Sequence, residues 1–203
     1  MTEGYIKFNC SWEQKDILIP EELYETLEKE RTRLYELGLI GVYPDGIGFG
    51  NISVRVGEDA SFIISGSATG QYRQLKQSHY ALVSRFSLAE NSISYSGQIK
   101  ASSESLTHAA VYDALPEVGA VVHIHCLWLW RILLKICPST PAEIEYGTPE
   151  MALAIQKLAS GIKPEDENII VMSGHREGIL AFGSNLHEAT TQIINIYNRY
   201  KHD

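Results

Sequence analysis

Three cysteines, Cys10, Cys126 and Cys137, are an odd number without CxxC spacing. That argues against a disulfide framework and points to a reducing cytoplasm. No apolar run is long enough to span a bilayer. The opening residues MTEGYIKFNC lack the basic-then-apolar order of a signal peptide. Lys and Arg never form a run, and 17 of them against 25 Asp and Glu leave a formal charge of −8. A nucleic-acid partner is therefore not expected. No Pro/Gly/Ser-rich linker divides the chain and no internal repeat is visible. The expectation is one domain over residues 1–203, large enough to bury a substantial core.

What is present concentrates in residues 102–125, SSESLTHAAVYDALPEVGAVVHIH. Residues 118–125 are apolar and β-branched, the pattern of a buried strand. Side chains alternate along a strand, so His123 and His125 share one face with Ile124 opposite, and Cys126 reads as core. Two imidazoles on one rigid strand match part of the ligand set that zinc prefers. A second apolar strand, 168–173, runs into Gly174 and His175, and another resumes over 178–182. His175 thus falls at a strand-to-strand turn, where a side chain can be aimed inward. Alone it reads more readily as an ordinary turn histidine than as a ligand. Three histidines with an open fourth position are a catalytic rather than a structural zinc pattern. Ser102 and Ser103 read as helix caps. Glu104 then falls in the first turn, where the helix dipole favours the ionised carboxylate. Beside a metal, such an acid can be a ligand, a general base, or each in turn; away from one, it is a common helix-start residue. His108 reads as structural or as support for the site.

The rest of the chain alternates elements. Pro20, Glu21 and Glu22 open a helix; Leu23, Leu27, Leu34 and Leu37 form its apolar stripe, and Gly38 ends it. Residues 46–55, GIGFGNISVR, form a glycine-rich loop into a strand that begins at Asn51. Because a strand follows, this is not a dinucleotide motif. Strand 61–65 leads into GSATGQY at 66–72, a small loop able to wrap an anion with backbone N–H groups. Arg73 and Lys76 could add charge there. Further strands are expected over 80–83 and 91–99. A short apolar helix over 127–134, with Trp128 and Trp130, reads as core or subunit interface. Helices over 149–160 and 185–200 follow, the last with Leu186, Ala189, Ile193, Ile196 and Tyr197 inward. Residues 1–19 carry no clear element. The class is α/β, layered α/β/α with a mixed sheet.

Five motifs occur in order: GNISVR at 50–55, ATG at 68–70, SSE at 102–104, HIH at 123–125 and GH at 174–175. Each is weak alone. The ordered set resembles the class II aldolase and adducin family, and within it the L-fuculose-1-phosphate aldolases, over roughly residues 46–200. The resemblance implies zinc, or another divalent transition metal, held by His123, His125 and His175. It implies Glu104 as acid/base, able to touch the metal when substrate is absent. It also implies a phosphate site from Asn51, Thr69, Gly70, Ser102 and Ser103. The family fold is a three-layer α/β/α with a central mixed, largely antiparallel sheet, usually a four-fold homotetramer with active sites at subunit interfaces. The implied partner is a small ketose or sugar phosphate, and the implied activity is a lyase reaction: reversible aldol cleavage, with zinc polarising the carbonyl. Alternatives on the same scaffold are a methylthioribulose-1-phosphate dehydratase, a sugar-phosphate 4-epimerase and a non-catalytic adducin-like binding protein. The epimerase branch has an aspartate where Glu104 stands, and adducin has lost the ligands kept here. One departure stands out. The sugar-phosphate aldolases carry a tyrosine, after the His-x-His strand, that acts across the subunit interface as an acid. Here segment 126–147 is shorter, and its one tyrosine, Tyr146, matches a non-catalytic stretch. The C-terminus is also short, which removes residues that could close the site.

Overall fold

The computed structural model describes residues 8–57, 60–163 and 167–201. Its strands are β1 (Asn9–Glu13), β2 (Gly41–Val42), β3 (Gly48–Phe49), β4 (Asn51–Arg55), β5 (Phe62–Ser65), β6 (Tyr80–Ser87), β7 (Ser92–Ser96), β8 (Ala120–His125), β9 (Ile169–Val171) and β10 (Gly178–Gly183). The helices are α1 (Glu21–Glu36), α2 (Ser105–Ala114), α3 (Leu127–Leu133), α4 (Pro149–Ala159) and α5 (Leu186–Tyr200). Eight strands form one sheet in the order β1-β7-β6-β5-β4-β8-β10-β9. Every neighbouring pair is antiparallel except β1 with β7. The sheet is mixed, as the alternation of elements predicted, and largely antiparallel, as the family resemblance implied.

Two apolar cores separate the layers. One joins the sheet to α2 and α4 through Phe62, Val121, Leu180, Ala109, Tyr112 and Met151. The other joins the opposite face to α1, α3 and α5 through Leu27, Leu34, Val122, Ile124, Leu129 and Ile193. Strand β8 contributes to both because its six residues are all buried. Its alternation places Ala120, Val122 and Ile124 in the second core. Val121, and with it His123 and His125, face the α2 side. Arg55 ties β4 to that layer. It donates to the carbonyls of Tyr112, Leu115 and Val118, where α2 ends and its carbonyls lack helical partners.

Two local expectations are corrected. Residues 9–13 are not featureless but form β1, an edge strand, with Trp12 stacked on Tyr95 at 6.1 Å. Its five residues are all exposed, so the segment has no apolar alternation to read. Residues 1–7 lie outside the described ones. Glu104 does not sit in the first turn of α2 but just before it, with φ −91° and ψ 11°. A tight turn causes this: Ser105 N donates to Ser102 O, and Ser102 Oγ accepts from Glu104 N. Among the described residues, no helix is long and apolar enough to cross a membrane.

Candidate metal and anion site

The sheet register brings the histidines together. In the β4–β8 ladder Asn51 pairs with His123, and in the β8–β10 ladder Gly178 pairs with His125. His175 arrives from the turn between β9 and β10. One ligand atom each from His123, His125 and His175 lie within 4.8 Å of one another, and all three side chains are buried. Gly178 packs closely against the cluster. A Cβ there would stand 3.2 Å from both His123 Nε2 and His175 Cγ, tighter than a side chain tolerates without moving the rings. Gly174 permits the other close approach, since a Cβ there would meet Ile144 O at 1.7 Å. That approach brings Tyr146 onto His175, ring on ring at 4.3 Å and 22°. Tyr146, expected in a non-catalytic stretch, therefore packs directly against the site.

Burial pushes the His123 imidazole well below its ordinary pKa, and the neighbouring His125, His175 and His108 push the same way. Burial likewise lowers His125, with His175 adding to it. Both rings are neutral at pH 7, the form that binds a metal. His123 Nε2 is buried without a hydrogen-bond partner among the described residues. A buried neutral nitrogen left unpaired costs free energy unless something fills its lone pair or takes its proton. Three clustered imidazoles fit a divalent transition metal with an open coordination position.

Glu104 is 2% exposed and faces this cluster. Thr107 Oγ1 donates to its Oε2 at 2.6 Å and anchors the carboxylate. Its Oε1 lies 3.9 Å from His175 Nδ1, too far for a hydrogen bond, and has no such partner among the described residues. One oxygen is therefore held and the other presented. His108, expected as support, lies deeper, with Nδ1 2.7 Å from Ser53 Oγ. Burial lowers its pKa to about 3.

The predicted anion loop borders the same cleft. Asn51, Thr69, Gly70, Ser102, Ser103 and Glu104 all line it. Thr69 Oγ1 donates to Gly66 O at 2.8 Å and closes the loop on itself. Ala68 sits at φ 58°, a left-handed turn of the kind that directs successive N–H groups to one side. Gly70 does not face the cleft with its missing side chain, because a Cβ would meet Gly41 O at 1.9 Å. The positive charge is not supplied as expected. Arg73 pairs with Glu36 on α1, and neither Arg73 nor Lys76 lines the cleft. Instead the buried Arg31 holds the loop from behind, donating to Thr69 O at 3.0 Å, Tyr72 O at 2.8 Å and Arg73 O at 3.1 Å.

Four further residues at the site escaped sequence reasoning. Tyr43 Oη is 2.8 Å from His125 Nδ1 and donates to Glu177 Oε2 at 2.9 Å. Phe49 stacks on His125 at 5.5 Å and 27°. Arg31 looked like any charged residue of α1. Only Glu177 had a hint, its place two residues after His175.

Comparison with known proteins shows the family. Residues 45–201 match the model of the class II aldolase and adducin N-terminal domain. A methylthioribulose-1-phosphate dehydratase of Leptospira interrogans is 32% identical over 108 residues, 50% of this chain and 43% of that protein. The chain thus matches less than half the length of that curated relative. Among solved structures, YgbL of Klebsiella pneumoniae superposes with a TM-score of 0.67 at 19% identity, covering 90% of this chain and 88% of that one. An L-fuculose-1-phosphate aldolase from Thermus thermophilus gives 0.65 at 20% identity, covering 88% and 91% respectively. A sugar-phosphate aldolase from Thermotoga maritima gives 0.63 at 19%, covering 87% and 92%. At these identities the structures share the fold. With the family model matched over most of its length, the chain belongs to the class II aldolase and adducin family.

Proposed function

We propose that this chain is a metal-dependent class II aldolase-type lyase acting on a ketose phosphate. The observation that carries the proposal is the juxtaposition of Glu104 Oε1, buried without a hydrogen-bond partner among the described residues, with the His123, His125 and His175 cluster. A divalent metal on the three imidazoles, zinc by ligand preference, would supply Lewis-acid polarisation of the substrate carbonyl. The chain's own residues do the rest. Glu104 holds or moves the proton on the carbon next to that carbonyl, through the oxygen that Thr107 leaves unanchored. Asn51, Thr69, Gly70, Ser102 and Ser103 hold the phosphate, and binding energy gained there orients the reacting carbons. Tyr146, stacked on His175, shields that ring from water.

A second reading is favoured by the 32% identical stretch shared with a methylthioribulose-1-phosphate dehydratase. Aldol cleavage and dehydration both use a proton on the carbon beside the carbonyl, so the same acid/base serves either. They part at the bond that breaks, carbon–carbon or carbon–oxygen. Incubation with a panel of ketose 1-phosphates separates them: release of an aldehyde supports the aldolase, and a dehydrated diketone supports the dehydratase. No turnover of any ketose phosphate by metal-loaded protein would reject both. A 4-epimerase is disfavoured because Glu104 stands where that branch has aspartate. The retained histidines argue against an adducin-like binding role. The reading includes one domain, a cytoplasmic setting and a homotetramer with sites near subunit interfaces. Exposed Trp128 and Ile136 on and just beyond α3 support an apolar contact there.

A further inference from the structure

We infer that Tyr43 and Glu177 form a relay that fixes the tautomer and orientation of His125, making both positioning residues for the metal ligand set. The purpose of the relay rests on the metal reading above; its geometry does not. Tyr43 Oη lies 2.8 Å from His125 Nδ1 and 2.9 Å from Glu177 Oε2. A phenol has one proton to give, and a carboxylate can only accept. The Tyr43 proton therefore goes to Glu177, and the phenol oxygen accepts from His125 Nδ1. A neutral imidazole has only one N–H, so the lone pair falls on Nε2. That is the nitrogen a metal would need, and a carboxylate-backed donor chain of this kind raises a ligand's basicity and fixes its ring.

The backbone supports the assignment. Glu177 sits at φ 75°, a left-handed conformation that glycine adopts freely and a side chain does not. Its Oε1 lies 3.9 Å from Arg176 Nε at the surface, while Oε2 turns inward to accept from Tyr43. Phe49 completes the arrangement, 4.5 Å from the Tyr43 ring and 5.5 Å from His125, so the imidazole cannot swing toward it.

Nitrogen-15 NMR of metal-free protein carrying labelled histidine tests the relay directly. Wild type should show His125 as the Nδ1–H tautomer, and Tyr43→Phe should shift it toward Nε2–H or a mixture. Chelator competition should show zinc affinity falling about 10–100-fold in Tyr43→Phe. Glu177→Gly controls for folding: it relieves the left-handed strain, so the metal-free thermal midpoint should be no lower than wild type while zinc affinity still falls. An unchanged tautomer in Tyr43→Phe overturns the relay. So does an affinity loss that appears only together with a lowered thermal midpoint. If wild type takes up no zinc at all, the metal reading fails by itself, and the tautomer measurement still decides the relay.

Discussion

Asn51 and His123 stand directly opposite each other on neighbouring strands, and the Asn51 amide nitrogen lies 3.4 Å from His123 Nδ1. Asn51 also lines the cleft that Thr69, Gly70, Ser102 and Ser103 border, so one side chain adjoins both the histidines and that loop. The purified protein should carry about one divalent ion per chain, and His123→Ala should lose it. Elemental analysis decides: a stoichiometric ion that survives His123→Ala would remove the three-histidine assignment.

Glu104→Gln should keep the fold and most of the metal but slow turnover about 10²–10⁴-fold, the usual scale for a general acid or base. The amide retains an oxygen to accept from Thr107, so packing is preserved. Steady-state kinetics beside circular dichroism and metal content give the test. Activity within a few fold of wild type would make Glu104 an ordinary helix-start acid.

Inorganic phosphate or sulfate should inhibit competitively. Thr69→Val, which removes the hydroxyl that closes the loop onto Gly66, should raise KM for a phosphorylated substrate more than it changes kcat. Gly70 is the wrong probe, because a Cβ 1.9 Å from Gly41 O would displace the loop as a whole. Noncompetitive inhibition, or an unchanged KM in Thr69→Val, would place the phosphate elsewhere.

Buried His108 makes stability fall in acid. Its folded pKa is about 3 against an ordinary 6.5, so below about pH 6.5 the unfolded chain binds a proton that the folded one refuses. Stability should be flat in this respect above pH 6.5, then drop as pH falls, by up to about 1.4 kcal/mol per pH unit, levelling off near pH 3. Urea unfolding of metal-free protein between pH 7.5 and 5 measures the slope, and His108→Asn should make it shallower. An identical slope in that variant would mean that His108 titrates normally.

Light scattering at micromolar concentration should give a mass near four chains of 22.7 kDa. Trp128 is 37% exposed and Ile136 58%, so Trp128→Glu or Ile136→Glu should lower the mass if that surface is the contact. A wild-type mass of one chain would reject the tetramer and any site shared between subunits.

Much of this protein was legible along the chain because the signals are local. The period-two pattern of β8 placed His123 and His125 on one face, and the observed cores confirm the alternation. The turn between two apolar runs located His175, and small-residue composition located the 66–70 loop. The start of α1 followed from Pro20, Glu21 and Glu22, where proline geometry and the helix dipole act within one turn. Tertiary structure alone decided the contacts between residues far apart in sequence. The parallel pairing of exposed β1, the buried Arg31 behind the anion loop and the Tyr43–Glu177 contact across 134 residues leave no periodic trace. Each depends on which backbones approach, and that is set by sheet order and by glycines such as Gly174 and Gly178, whose missing side chains leave room for a ring or a carbonyl.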